Sequence, residues 1–153
     1  MNLRNFLSLT IRVTDFNLVA RQPDLLEKLR KLTLSPYSGL NFEMDRMLED
    51  IKQRSVNCQV LLAYRFNTLV GWAILSKEDS KFHFHDSASG FNSEDGLMFQ
   101  IFVNPSNRRQ GIASELFKGA MKLAQDETIC ICPWDNTSYH FYSQFPNVKT
   151  KRL

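Results

Sequence analysis

Apolar and polar positions alternate near the start of the chain, where Leu7, Leu9, Ile11 and Val13 interleave with Ser8, Thr10 and Arg12. This period of two predicts a strand with one buried face. The period then lengthens. From Pro23, a residue suited to a first helical turn, Leu25, Leu26, Leu29 and Leu32 recur at helical spacing. Beyond the breaker stretch 35–39, Met44, Met47, Leu48 and Ile51 mark the apolar face of a second helix. Strand-like runs follow over 59–66 and 69–75, joined at Asn67-Thr68 as a hairpin. The polar stretch 76–95 has room for one short strand at 81–85. The remaining pattern predicts a strand over 97–103, a helix over 111–124, a strand over 128–132, a short helix over 136–144 and a last edge strand from Val148 to Arg152.

The order is thus strand, two helices, a block of antiparallel strands, then strand, helix, strand, helix. It predicts an α/β (α+β) chain with a central mixed, mostly antiparallel sheet and helices on both faces. With 153 residues and 43% of them apolar, one core can form and two ordinary domains cannot, so a single domain over 1–153 is expected. No apolar run approaches the roughly 20 residues that cross a bilayer, and Met1 to Phe6 leads into an alternating segment rather than a leader. No membrane association is expected.

The net charge of +3 is spread along the chain, which suits solubility and a mild attraction to anions and argues against a nucleic-acid surface. Lys149, Lys151 and Arg152 read as a solvated basic end, because no aromatics interleave them. Cys58, Cys130 and Cys132 form an odd set without metal-ligand spacing, so reduced core thiols and a cytoplasmic setting are expected. His83 and His85 could share one side of an extended segment, but no third ligand has suitable spacing and no metal is expected.

The informative stretch runs from Phe99 to Ser114. A strand ends in Asn104-Pro105-Ser106-Asn107, and Arg108-Arg109-Gln110-Gly111-Ile112-Ala113 leads into a helix. Free N–H groups and the positive end of the dipole make such a helix start an anion site. Gly111 lets backbone approach a phosphate closely, and Arg108 and Arg109 add charge and donors. Neither a Gly-x4-Gly-Lys-Ser/Thr loop nor a Gly-x-Gly-x-x-Gly turn is present, so a phosphate ligand other than a hydrolysed nucleotide or a nicotinamide cofactor is implied.

This stretch resembles the pyrophosphate loop of the GNAT superfamily of N-acetyltransferases, whose pattern is Gln/Arg-x-x-Gly-x-Gly/Ala. Arg108, Gly111 and Ala113 match it, and Val103-Asn104-Pro105 stands where that family often has Val-x-Pro. Ser138 to Tyr142 resembles the family's Ala-x-x-Phe/Leu-Tyr segment. Asn136 stands one residue closer to the tyrosine than is usual there, and Pro146-Asn147 replaces an expected Gly-Phe pair.

The resemblance implies an acetyl-CoA-dependent transferase acting on an amine acceptor. It implies cofactor contacts from Ile101, Phe102 and Val103 along the strand, from Arg108, Arg109, Gln110, Gly111, Ile112, Ala113 and Ser114 around the pyrophosphate, and from Asn136 on the pantetheine arm. Ile101 would lend a backbone N–H to the oxyanion, and Tyr142 would protonate the departing sulfur. No carboxylate lies within 97–103, where some members place a general base, and Gln100 is the polar side chain of that run and the second catalytic candidate. Glu94, Asp95, His83 and His85 are the neighbouring ionisable residues. A catalytically inactive acyl-CoA-binding module is the alternative, and the sequence leaves a homodimer open.

Overall fold

A computed structural model of the protein describes residues 9–33, 49, 57–76, 95–131 and 136–150. The helix expected around Met44 to Ile51, the strand expected at 81–85, and His83, His85, Glu94, Cys132 and Trp134 lie outside these residues.

The described elements are β1 (Leu9–Asp15), α1 (Phe16–Val19), α2 (Pro23–Thr33), β2 (Cys58–Arg65), β3 (Thr68–Ser76), β4 (Leu97–Val103), α3 (Ile112–Ala124), β5 (Ile129–Ile131), α4 (Asn136–Ser143) and β6 (Val148–Thr150), with a 3-10 turn at Pro105–Asn107. The six strands form one sheet in chain order. β1 to β4 are antiparallel neighbours, while β5 and β6 join in parallel. The expected mixed, mostly antiparallel sheet is therefore present.

Its central strands are apolar almost throughout because both faces are covered. On one face, Cys58, Val60, Leu62, Trp72 and Ile74 pack with Phe16 and Val19 of α1 and Leu29 of α2. The Asp15 side chain caps α1 by accepting from the Asn17 N–H at 2.7 Å. The other face joins Leu61, Ala63, Ala73, Leu75, Leu97 and Phe99 to Ile112, Leu116, Phe117, Ala120 and Ala124 of α3. That stripe at steps of three to five residues is the buried side of an amphipathic helix.

The hairpin differs from expectation by one residue. Strand pairing slips between Ala63 and Tyr64, since Ala63 opposes Gly71 and Tyr64 opposes Leu69. Val70 is the extra residue of a bulge. The turn consequently closes over Phe66-Asn67, with Phe66 at φ 55°, and Thr68 already belongs to β3. Of the strand expected over 128–132, Ile129–Ile131 is described as strand and residue 132 lies outside the described residues, and Gly111 caps α3 rather than opening it.

Candidate cofactor and catalytic site

The site begins where β4 and β5 part. Among the described residues, their parallel pairing covers Leu97 with Ile129 and Met98 with Cys130, although β4 continues to Val103 and β5 to Ile131. On its other edge β4 stays paired with β3 as far as Val103 opposite Gly71. A gap therefore opens in the sheet.

Strand alternation decides which groups face the gap. The Leu97 N–H donates to the Thr128 carbonyl at 2.8 Å on the β5 side, and the Asn104 N–H donates to the Val70 carbonyl at 2.9 Å on the β3 side. Backbone groups of successive residues point to opposite edges. Ile101 and Val103 thus share the direction of Leu97 and, among the described residues, have no ladder partner there. Phe102 does not join them. Its backbone is committed to β3 opposite Trp72, and its ring packs on that indole at 5.1 Å between centroids.

The chain turns sharply above this open edge. The Asn104 side-chain carbonyl accepts from the Ser106 N–H at 3.1 Å and the Ser106 hydroxyl at 3.0 Å, which shapes the 3-10 turn. Arg109 and Gly111 then both take left-handed conformations, at φ 62° and φ 81°. Glycine does so without strain, whereas a residue with a Cβ does not. The first intrahelical bond of α3 runs from the Glu115 N–H to the Gly111 carbonyl at 3.1 Å. The N–H groups of Ile112, Ala113 and Ser114 consequently have no acceptor within the helix.

These donors surround a cleft of about 190 Å³ lined by Val103, Asn107 and residues 108–114 other than Gln110. Arg108 and Arg109 are exposed at its rim. Gln110 instead turns its side chain away from the cleft and accepts, through Oε1, from Nη1 of Arg65 at the end of β2. The sequence carries no signal of this contact, because the partners are 45 residues apart. With its unpaired N–H groups, helix dipole and cationic rim, the cleft suits a phosphorylated ligand, and the open strand edge beside it suits an extended arm bearing amides. The chemistry of the donors therefore fits a coenzyme A thioester.

Tyr142 lies on α4 against α3, with its ring 5.1 Å from Phe117 and 5.0 Å from Phe141. Burial pushes its phenol up to about 12. The hydroxyl therefore stays neutral at ordinary pH and can act as a donor. Gln100 is buried on the opposite side of β4, in register with Ile74. The geometry separates these two candidates, because β4 stands between the α3–α4 layer and the α1–α2 layer. Asn136 opens α4, and its side chain lies outside the described ones.

Asp95 is held by Lys149 at 3.5 Å across to β6. Cys58 and Cys130 are both buried, and burial followed by the nearby Asp15 charge raises the Cys58 pKa. Among the described residues no group of three metal-ligating side chains occurs, and no helix is long and apolar enough to cross a membrane.

Comparisons with known proteins agree with this geometry. No curated protein matches the chain significantly in sequence. Among solved structures, the aminoglycoside acetyltransferase meta-AAC0020 from an uncultured soil metagenomic sample, in complex with sisomicin, superposes with a TM-score of 0.57 at 14% identity, covering 97% of this chain and 94% of that one. AAC(6')-Iy, in complex with the bisubstrate analogue CoA-S-monomethyl-acetylneamine, gives 0.53 at 22% identity, covering 95% and 94%. At such identities the likeness is one of fold. Residues 26–145 also match the Acetyltransferase (GNAT) family, a span that includes the parted strands, the left-handed loop and α3. A match over most of the length means that this chain belongs to the GNAT acetyltransferase family.

Proposed function

We propose that this protein is an N-acetyltransferase that moves an acetyl group from acetyl-CoA to a primary amine of a small molecule or protein. The observation that carries the reading is the open edge of β4 ending at a helix N-terminus whose first-turn N–H groups have no acceptor within the helix. Bound acetyl-CoA would supply an activated thioester. The chain has to hold that thioester, stabilise negative charge on its carbonyl oxygen and manage two protons.

Backbone groups of Ile101 and Val103 align the pantetheine arm as an added strand, and the Ile101 N–H is aimed at the carbonyl oxygen. Amides from Arg109 to Ser114 take the pyrophosphate, with Arg108 and Arg109 contributing charge. Asn136 steadies the arm. Tyr142, whose neutral phenol burial holds protonated well into the alkaline range, would donate a hydrogen bond to the sulfur of bound acetyl-CoA. Gln100, on the α1–α2 side of β4, orients the acceptor. An amine resembling lysine, of pKa about 10.4, must lose a proton to a base or a water chain before it attacks, and β4 itself carries no carboxylate for that step. The buried free thiol of Cys58 suits a cytoplasmic setting.

Calorimetric titration of acetyl-CoA, followed by a panel of primary amines with release of free thiol as the readout, tests the reading. Saturable binding with amine-dependent thiol release is expected. A folded protein that binds no acetyl-CoA would overturn it. Binding without transfer to any amine would support the second reading, an inactive acyl-CoA-binding module. That reading is favoured by one observation: the polar residue of β4 is the buried amide Gln100 rather than a carboxylate.

A further inference from the structure

Arg65 ends β2 between Leu9 of β1 and Thr68 of β3. By strand alternation its side chain shares the face of Leu61 and Ala63, which pack under α3. From there its Nη1 donates to Oε1 of Gln110. Its Nε and Nη2 are shielded from solvent and, among the described residues, have no hydrogen-bond partner. A half-buried guanidinium with two shielded nitrogens of this kind is retained at a cost, since unsatisfied shielded donors disfavour the folded state. Packing alone would be served better by an apolar residue of similar length.

What the guanidinium holds gives that cost a purpose. Gln110 stands between two left-handed residues, Arg109 at φ 62° and Gly111 at φ 81°. The Arg109 conformation is strained for a residue with a Cβ and persists only where its surroundings fix it. Gln110 is also the residue of the 108–114 segment that does not line the cleft, because its side chain is drawn toward β2. A tether on that side chain fixes the peptide units before and after it, and so the path by which the chain enters Gly111 and the first turn of α3, whose N–H groups surround the cleft. The positive charge behind the loop adds to the field of the helix terminus without occupying the cleft.

We propose that Arg65 is a positioning residue that, through Gln110, locks the loop in its phosphate-accepting conformation and lends it charge from behind. The inference rests on the acetyl-CoA reading above and goes beyond it in assigning a role to a residue outside the loop.

The test compares binding of CoA with binding of pantetheine, which lacks the pyrophosphate, by calorimetry of the full chain and its Arg65→Met, Arg65→Lys and Gln110→Leu variants. Arg65→Met keeps most of the apolar stem, and Gln110→Leu sits on the loop, where folding is not at stake. CoA affinity is expected to fall about 10-fold in Arg65→Met and by a similar factor in Gln110→Leu, as the loss of one charge-assisted contact would produce. The double variant should be little worse than either single one, because the two residues act as a unit. Pantetheine affinity should stay unchanged, and Arg65→Lys should recover part of the loss. Unchanged CoA affinity in both single variants, or an equal loss for CoA and pantetheine, would overturn the role of Arg65 while leaving the cofactor reading intact. A wild-type chain that binds neither CoA nor inorganic pyrophosphate would overturn both.

Discussion

Replacing Gly111 with alanine perturbs the loop at its most constrained point. Gly111 has φ 81° and ψ 4° and precedes the first helical residue of α3. A Cβ in the left-handed region costs ~1–2 kcal/mol, and the gain from a stiffer unfolded chain returns ~0.4–1 kcal/mol. The net loss is about 1 kcal/mol, which for a chain of this length lowers Tm by ~2–4 °C. The larger effect should fall on ligand binding. If the backbone relaxes to negative φ, the Ile112 and Ala113 N–H groups turn from the cleft, and one lost charge-assisted bond, worth ~1.5–3 kcal/mol, weakens acetyl-CoA by about 10- to 100-fold. Thermal denaturation and calorimetry of Gly111→Ala beside wild type measure both quantities. An Arg109→Gly control, at φ 62°, should keep its Tm or raise it. A Gly111→Ala protein with unchanged Tm and unchanged affinity would refute the claim that the left-handed turn builds the site.

Gly96→Ala should be far more damaging. At φ 138° its new Cβ would stand 2.2 Å from the Thr128 carbonyl oxygen, the acceptor of the first β4–β5 bond, so a loss of about 3 kcal/mol or more and a sharp fall in Tm are expected. Tyr142 should make stability depend on alkaline pH. Because burial raises its pKa from 10.0 to about 12, the neutral phenol stabilises the folded state fully below pH 10, and this contribution, up to ~3 kcal/mol, is lost as pH rises toward 12. Urea midpoints between pH 8 and 11 should fall more steeply for wild type than for Tyr142→Phe. The raised Cys58 thiol adds a component of the same sign that persists in the variant.

Much of this architecture is written in local pattern. The β4 boundaries 97–103 and the helical stripe of α3 follow from an apolar run closed by Asn104-Pro105 and from spacing around Leu116, Phe117 and Ala120, because strand and helix each impose a period on burial. The turn into α3 was legible for a similar reason. A glycine before a helix, preceded by two arginines, states the backbone geometry and the charge within six consecutive residues.

Features that depend on distant partners left no such trace. The bulge at Val70 moved the hairpin turn from Asn67-Thr68 to Phe66-Asn67, since register is set by packing across two strands rather than by the turn residues alone. Phe102 read like its neighbours as a cofactor contact, and only its pairing with Trp72 shows that its backbone faces β3. The parting of β4 from β5 beyond Met98 and Cys130, and the reach of Arg65 to Gln110, exist because separate segments converge. Periodicity and turn chemistry act over a few residues and so specify the elements and the loop. The open edge and the tether behind the loop depend on how those elements stack, which tertiary packing alone decides.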